Sequence, residues 1–317
     1  MPRRPAPLPE ELLWPVLTRT ELLAAGVPPH RLRRGDLSRL REGLYARSDG
    51  TITDLDIAAA LVREDPDLVL MGASVARLID APLPTRLETW RMGTPVHLVA
   101  PTPGRRRRSD QIVRYHARVL PASARWIHRP PAPATSIPVT SPARTWRDLA
   151  GDLSHAELVS FGDHLVRVPR PGLEGRSSPW STPPELREQC TGRDGARLLA
   201  AWEEVRIGAD SPMETRLRRA FLAAGLPEPV LNQPLIGIDG EILHSPDFQW
   251  PAWRVCGEYD GRTHAEPKQV ERDIDRALRV GAAGWEELRF AARDAASGCR
   301  RAVRRTRDAL TARGWTG

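Results

Sequence analysis

Lysine is almost absent from this sequence: Lys268 is the single one in 317 residues, and every other member of the 47 basic residues is arginine. That bias, together with 31 prolines, fits a GC-rich genome. It weakens any reading of the +7 charge and the pI of 10.2 as selection for phosphate contacts. Polyanions, nucleic acid first, remain the natural partners of a basic chain. Cysteine is scarce as well. Cys190, Cys256 and Cys299 are odd in number, far apart and without C-x-x-C spacing, so a disulfide frame or a cysteine zinc site is not expected and reduced structural thiols are. No apolar run is long enough to cross a bilayer, so no membrane partner is expected. Met1–Glu10 is proline-rich and lacks the apolar segment of a signal peptide, which points to the cytoplasm. No Walker loop, no G-x-G-x-x-G after a strand and no Ser-His-Asp set stands out, so nothing suggests an NTPase, a dehydrogenase or a serine hydrolase.

What is present suggests an α+β multidomain chain. Thr18–Ala25 has caps and helix formers and stops at Gly26. Pro28 and Pro29 open a second short helix through Arg34, carrying His30, Arg31, Arg33 and Arg34. Leu40–Ala46 then reads as a strand with a central turn. Helix, glycine turn, basic helix and β-wing is the order of a winged helix-turn-helix over residues 1–50. Residues 51–168 read as a mixed α/β middle domain, with a helix at Leu55–Val62 and strands at Val96–Val99 and Ile112–His116. The basic turn from Pro103 to Arg108 is either a phosphate contact or an ordinary exposed loop. Residues 169–210 comprise a Pro/Gly/Ser-rich linker and a helix over Glu185–Val205.

The last domain, 211–317, spells αβββαβα. A helix runs from Ser211 to Ala224. Strands follow at Val230–Ile238, Glu241–Trp250 and Arg254–Tyr259, with turns at Asp239-Gly240 and Pro251-Ala252. Then come a helix at Pro267–Ala283, a strand at Trp285–Phe290 and a helix near Asp294–Arg313. A turn centred on Pro251-Ala252 sets Asp247 opposite Cys256 and Phe248 opposite Val255. Alternation along strands then gives Asp247 and Glu258 one face, diagonal neighbours within roughly 7–8 Å, with Asp260 of the same parity just beyond. Three carboxylates on one face repel one another unless a cation joins them. Hard oxygen donors suit Mg²⁺ or Mn²⁺, which would activate a water and neutralise a scissile phosphate.

Two resemblances sharpen this reading. "LTRTELLAAGVPPHRLRRGDLSRLREGLYA" is similar to the N-terminal DNA-binding domain of AbiEi-type antitoxins. This implies DNA contacts through His30, Arg31, Arg33 and Arg34, and a toxin-type protein partner. "IPVTSPARTWRDLA" (Ile137–Ala150) resembles the segment that follows this domain in related bacterial chains. "SPMETRLRRAFLAAGL", "PDFQWPAWRVCGEYDGRTH" and "RDIDRALRVGAAGWEELRF" resemble the Vsr-type endonuclease-like family within the PD-(D/E)-x-K superfamily, over about Ser211–Arg313. The resemblance implies a restriction-endonuclease-like domain with functional positions at Glu214, Asp247, Asp260 and His264, and Glu258 at the (D/E) place. The metal ligands would be Asp247, Glu258 and Asp260. One departure stands out: the E-x-K lysine would fall at 260, where this chain has aspartate, and His264 becomes the candidate general base.

Each residue also has a structural role open to it. Glu214, three residues after Ser211, completes a capping box. Asp260-Gly261 makes a turn, and His264 a loop hydrogen bond. Asp273 and Arg276 make an intrahelical ion pair, and Trp250 and Trp253 bury under the sheet rather than stack on bases. Arg300, Arg301, Arg304, Arg305 and Arg307 form a solvated face or a phosphate track. Two functions therefore stand side by side: a metal-dependent DNA endonuclease in defence or repair, and an inactive, antitoxin-like or transcriptional regulator that binds DNA. An RNA substrate also stays open, as does the oligomeric state.

Overall fold

The structure, a computed structural model, describes residues 8–9, 12–33, 35–48, 50–101, 108–130, 135–170, 174–237, 239–260 and 267–317, with the backbone alone over 267–274. Arg34, His264 and the basic turn up to Arg107 lie outside the described residues. The chain is mixed α and β, with several mixed sheets. No described helix is long and apolar enough to cross a membrane. Contacts divide it into two units, 1–152 and 153–317.

In the first unit, strand β1 (Val16–Thr18) leads into helix α1 (Arg19–Ala24). Thr18 and Glu21 close a capping box: the Glu21 N–H donates to Thr18 Oγ1 at 3.2 Å and the Thr18 N–H to Glu21 Oε2 at 2.7 Å. Pro29–Arg33 is a single 3₁₀ turn rather than the expected second helix. Five residues between a proline pair and a glycine cannot lay down a helical face. Strands β2 (Leu37–Arg41) and β3 (Leu44–Arg47) complete an antiparallel sheet in the order β1-β3-β2. Strand β1 was not visible in the sequence.

Helix α2 (Asp54–Glu64) covers a five-stranded sheet whose members are β4 (Val69–Leu70), β5 (Val96–Ala100), β6 (Val113–Ala117), β7 (Arg125–His128) and β8 (Ile137–Thr140), in the order β6-β5-β4-β8-β7. Short helices α3 (Ala73–Leu78), α4 (Thr85–Glu88) and α5 (Pro142–Asp148) fill the connections. Val16 and Leu44 are buried in one cluster with Ile57, Leu61, Leu70 and Leu98, and Arg63 of α2 pairs with Glu21 at 2.5 Å. Residues 1–50 thus share a core with the middle segment.

The second unit begins with α6 (His155–Val166), so the boundary expected near 168 falls inside it. The Pro/Gly/Ser-rich stretch is pinned down rather than free. Glu174 takes two bonds from Arg167 (2.5 and 2.7 Å), and the Ser181 N–H donates to the Leu165 carbonyl. The helix expected over 185–205 is two helices, α7 (Pro183–Glu188) and α8 (Gly195–Glu204), broken near Gly192, whose φ is +75°.

Helix α9 (Pro212–Ala223) opens the final αβ segment. The two long strands expected before the Pro251 turn are each broken in two: β9 (Val230–Leu231), β10 (Leu235–Ile236), β11 (Ile242–His244) and β12 (Phe248–Trp250). Strand β13 (Val255–Asp260), helix α10 (Pro267–Ala282), strand β14 (Glu286–Ala291), the short α11 (Ala292–Ala295) and helix α12 (Arg300–Ala312) follow. The main sheet runs β14-β13-β12-β9, with β13 and β14 parallel and the other neighbours antiparallel; β10 and β11 pair separately. One sheet face buries Phe248, Trp250, Val255, Leu288 and Phe290 against Leu217 and Phe221 of α9 and Ala302 and Leu310 of α12. Three of the chain's four phenylalanines meet there, with Phe221 edge-on to Phe248 at 5.4 Å.

Gly257 is where this packing is tightest. A Cβ there would lie 2.7 Å from Phe290 Cε2, inside the aromatic cluster. Gly257→Ala is expected to cost about 1–3 kcal/mol, because Phe290 must leave its rotamer. A thermal melt of the variant that superimposes on wild type would contradict this packing.

Candidate functional site

The site grows from the turn between β12 and β13. Pro251–Trp253 forms a 3₁₀ turn and Arg254 closes it in the left-handed region at φ +49°. Four residues rather than two make the turn, so the register shifts by two from the expected one: Trp250 faces Val255, and Phe248 faces Gly257. A shift of two keeps every side chain on its face. Cys256 pairs with Gln249, so Asp247 is not opposite it; Asp247 lies in the bend just before β12, and its carboxylate accepts the Tyr259 N–H at 2.6 Å, next to Glu258 in sequence.

Glu214 arrives from α9. Ser211 caps that helix by accepting the Glu214 N–H at 3.2 Å, but the Glu214 carboxylate does not return to the Ser211 N–H as a capping box requires. It accepts instead from the Asp210 N–H and from Asn232 Nδ2, both at 2.8 Å. Asn232 is held in the left-handed region at φ +48°, and it also donates to the Gly208 carbonyl at 2.6 Å. Glu214 is 6% exposed, and burial pushes its carboxyl upward. Asp247 is pushed up to about 7, first by burial and then by Glu214, with Glu258 and Asp210 adding to the effect. The charges of Glu214 and Glu258, from α9 and β13, thus both disfavour the ionised form of Asp247.

Glu258 is raised by burial, against the pull of Arg276 on α10. The Arg276 guanidinium grips both Glu258 oxygens, at 2.8 and 3.2 Å, and also approaches Glu287 Oε1 at 3.9 Å. Beneath them the Cys256 thiol is pushed up to about 12 by burial, Glu287 and Glu258. His244 completes the group: its Nε2 lies 3.5 Å from Glu258 Oε1 and 3.4 Å from Glu287 Oε1.

The trio expected from the sequence is not the one the structure brings together. Among the described residues, the donor atoms within 4.8 Å of one another are those of His244, Glu258 and Glu287, not Asp247, Glu258 and Asp260. Asp260 is exposed at the end of β13, paired in register with Ala291. His264 lies outside the described residues, as do the side chains of Lys268 and Asp273. Trp250 is buried and donates its indole N–H to the Pro227 carbonyl at 2.8 Å, so it belongs to the core. On the last helix, Arg301 and Arg305 reach buried Asp294 at 2.9 and 3.3 Å, and Arg307 the Ala224 carbonyl at 2.7 Å. In the first unit, His30 and Arg33 are exposed, whereas Arg31 is tied to Asp36 at 2.7 Å.

Sequence reasoning missed His244, Glu287, Asn232 and the reach of Arg276 to the sheet. Glu287 did leave a trace: Leu288 and Phe290 must face the core, so Glu287 and Arg289 face the side of Glu258. Which strand lies beside β14 was not written in that pattern.

No family model matches the chain. It is similar to two proteins from strains of Mycobacterium tuberculosis, the uncharacterized proteins MT2308 (strain CDC 1551 / Oshkosh) and Rv2248 (strain ATCC 25618 / H37Rv). Each is 29% identical over 260 residues, covering 80% of this chain and 85% of the relative.

Proposed function

We propose that the protein binds DNA and that its C-terminal segment hydrolyses phosphodiester bonds with the help of Mg²⁺ or Mn²⁺. The observation that carries this reading is the buried Asp247 carboxyl, bound by the Tyr259 N–H and pushed up to about 7 by burial and by the charges of Glu214 and Glu258. Buried carboxyls that repel one another are a poor structural device and a good cation cradle. Their hard oxygen donors fit either ion. When bound, such an ion supplies an activated water and neutralises phosphate charge. The chain's own part is positional: the Tyr259 N–H fixes the Asp247 carboxylate, Asn232 and the Asp210 N–H fix Glu214, and Arg276 holds Glu258. The αβββαβα order of residues 211–317 and the resemblance to Vsr-type endonucleases favour the same reaction.

A 3₁₀ turn stands where a winged helix has its recognition helix, so the likeness rests on the order α1-turn-β2-β3 alone; exposed His30 and Arg33 are the DNA contacts we assign to this segment, with Arg31 braced by Asp36. The resemblance to AbiEi-type antitoxins adds a toxin-type protein partner. The direct test is plasmid nicking by the full chain. Conversion of supercoiled DNA with Mg²⁺ or Mn²⁺, stopped by a chelator, is the expected result. Varied DNA substrates left intact with both ions would sink the hydrolytic reading.

A second reading rests on Arg276. A guanidinium on Glu258, with exposed Asp260 where the superfamily's lysine would stand, leaves no described amine at the acids, as expected of a nuclease fold that has become a DNA-binding regulator. Because residues 1–50 share a core with α2, point changes are the right probe rather than deletion. Under either reading, Arg33→Ala with His30→Ala should weaken DNA binding about tenfold or more, measured by fluorescence anisotropy at fixed salt. Unchanged affinity would take DNA binding away from the turn Pro29–Arg33.

A further inference from the structure

His244, Glu258 and Glu287 are in a position that nucleolytic chemistry at Asp247 does not explain. The imidazole is nine-tenths buried (10% exposed), and neither of its ring nitrogens has a hydrogen-bond partner. Glu287 is 8% exposed, and its Oε1 faces Nε2 at 3.4 Å without a well-aligned hydrogen bond, although the ring still holds the Glu287 carboxyl below its ordinary value against burial. Buried polar atoms are nearly always well satisfied, and this loose ion pair, with Nδ1 unpartnered beside it, is an arrangement that a shared cation would complete. The spacing fits one. Donors about 2.0–2.2 Å from a shared ion lie about 3–3.5 Å from each other, and Nε2 stands 3.4 and 3.5 Å from the two carboxylate oxygens.

We propose that His244, Glu258 and Glu287 form a second cation site, selective for transition ions of the Mn²⁺ and Zn²⁺ class, on the face of the sheet that α10 covers. One imidazole and two carboxylates suit these ions, whereas Mg²⁺ prefers oxygen alone. Strands β11, β13 and β14 each supply one donor. Arg276 is the resident counter-charge and must release at least one Glu258 oxygen when the ion enters. Arg289, 3.4 Å from Glu287 Oε2, leaves Oε1 to the ion. Glu258 is common to this site and the Asp247 cluster, which would let occupancy of one alter the other.

The test uses the full chain stripped of metal by chelator and loaded with Mn²⁺, read by pulsed electron paramagnetic resonance and by calorimetric titration. Wild type should show coupling to an imidazole nitrogen, retained in Asp247→Asn and lost in His244→Gln. Glu287→Gln and His244→Gln should each weaken Mn²⁺ and Zn²⁺ at least tenfold while barely changing Mg²⁺, and Arg276→Met should tighten Zn²⁺ several-fold. Thermal melts establish that each variant is folded; should His244→Gln fail, Glu287→Gln carries the comparison. No nitrogen coupling in wild type, coupling that persists in His244→Gln, or Zn²⁺ affinity indifferent to Glu287→Gln would overturn the proposal. So would Mn²⁺ binding that vanishes in Asp247→Asn, which would leave the Asp247 reading standing. A protein that binds Mn²⁺ through His244 yet never nicks DNA would uphold this site and refute the hydrolytic function.

Discussion

Asp247→Asn should lower divalent-dependent nicking on the order of 10³-fold while making the folded chain more stable above pH 7. The two effects share one cause. In the folded chain the Asp247 carboxyl is pushed up to about 7, against an ordinary value of 3.8. Below pH 4 both folded and unfolded chains hold the proton, and the group has no effect on stability. Between about 4 and 7 the unfolded chain releases the proton and the folded one keeps it, so stability falls as pH rises. Above 7 the full penalty stands. At about 1.4 kcal/mol per pH unit it amounts to a few kcal/mol, part of it set by the charge of Glu214 nearby. Asparagine keeps the shape and removes the charge. Calorimetric melts at pH 5 and pH 8 should show wild type losing more stability than Asp247→Asn over that interval. Added Mg²⁺ or Mn²⁺ should raise the wild-type melting temperature at pH 8 and leave the variant nearly unmoved. Parallel pH profiles for the two proteins would mean that Asp247 does not sit among repelling acids.

Arg218 governs the largest expected loss of stability. It is fully buried on α9 and donates through its Nη2 to Asp163 Oδ2 at 2.8 Å; Asp163, on α6, is 1% exposed. Thr215 Oγ1 donates to the same oxygen at 2.7 Å, and the Arg206 N–H to the other at 2.7 Å. Burial drives the Asp163 carboxyl upward even with Arg218 beside it. Arg218→Met leaves that acid in the core without its counter-charge, at a cost of about 3–5 kcal/mol in denaturant unfolding. The loss should grow as pH rises above the ordinary carboxylate range, since the orphaned acid must stay protonated to remain buried. Adding Asp163→Ala should recover part of it, because a buried pair replaced by apolar groups is often neutral. If the single variant unfolds at the same denaturant concentration as wild type, the pair contributes nothing that its neighbours cannot supply.

The periodicities of the chain marked most of its elements. α1, α2, α9 and α10 lie where caps and 3.6-residue spacing put them, and β5, β6, β13 and β14 where alternation does. Face assignment was equally legible. The parity that sets Phe248 and Val255 inward sets Asp247 and Glu258 outward, and it survives a register error because that error was an even number of residues. Connection geometry was not legible. The Pro251 turn holds four residues since Trp253 continues a 3₁₀ turn and Arg254 takes a left-handed conformation, and no local propensity announces an arginine there.

By itself, then, the sequence determined which residues share a face and where most helices begin, because alternation and capping are local. Tertiary structure alone decided which faces meet. Parallel pairing of β13 with β14 brought Glu287 beside Glu258, the detached β11 carried in His244, and α10 laid Arg276 over both. Asp260 falls outside that group for the same reason: it is exposed at the end of its strand. Such pairings rest on contacts between segments tens of residues apart, which no window of sequence contains.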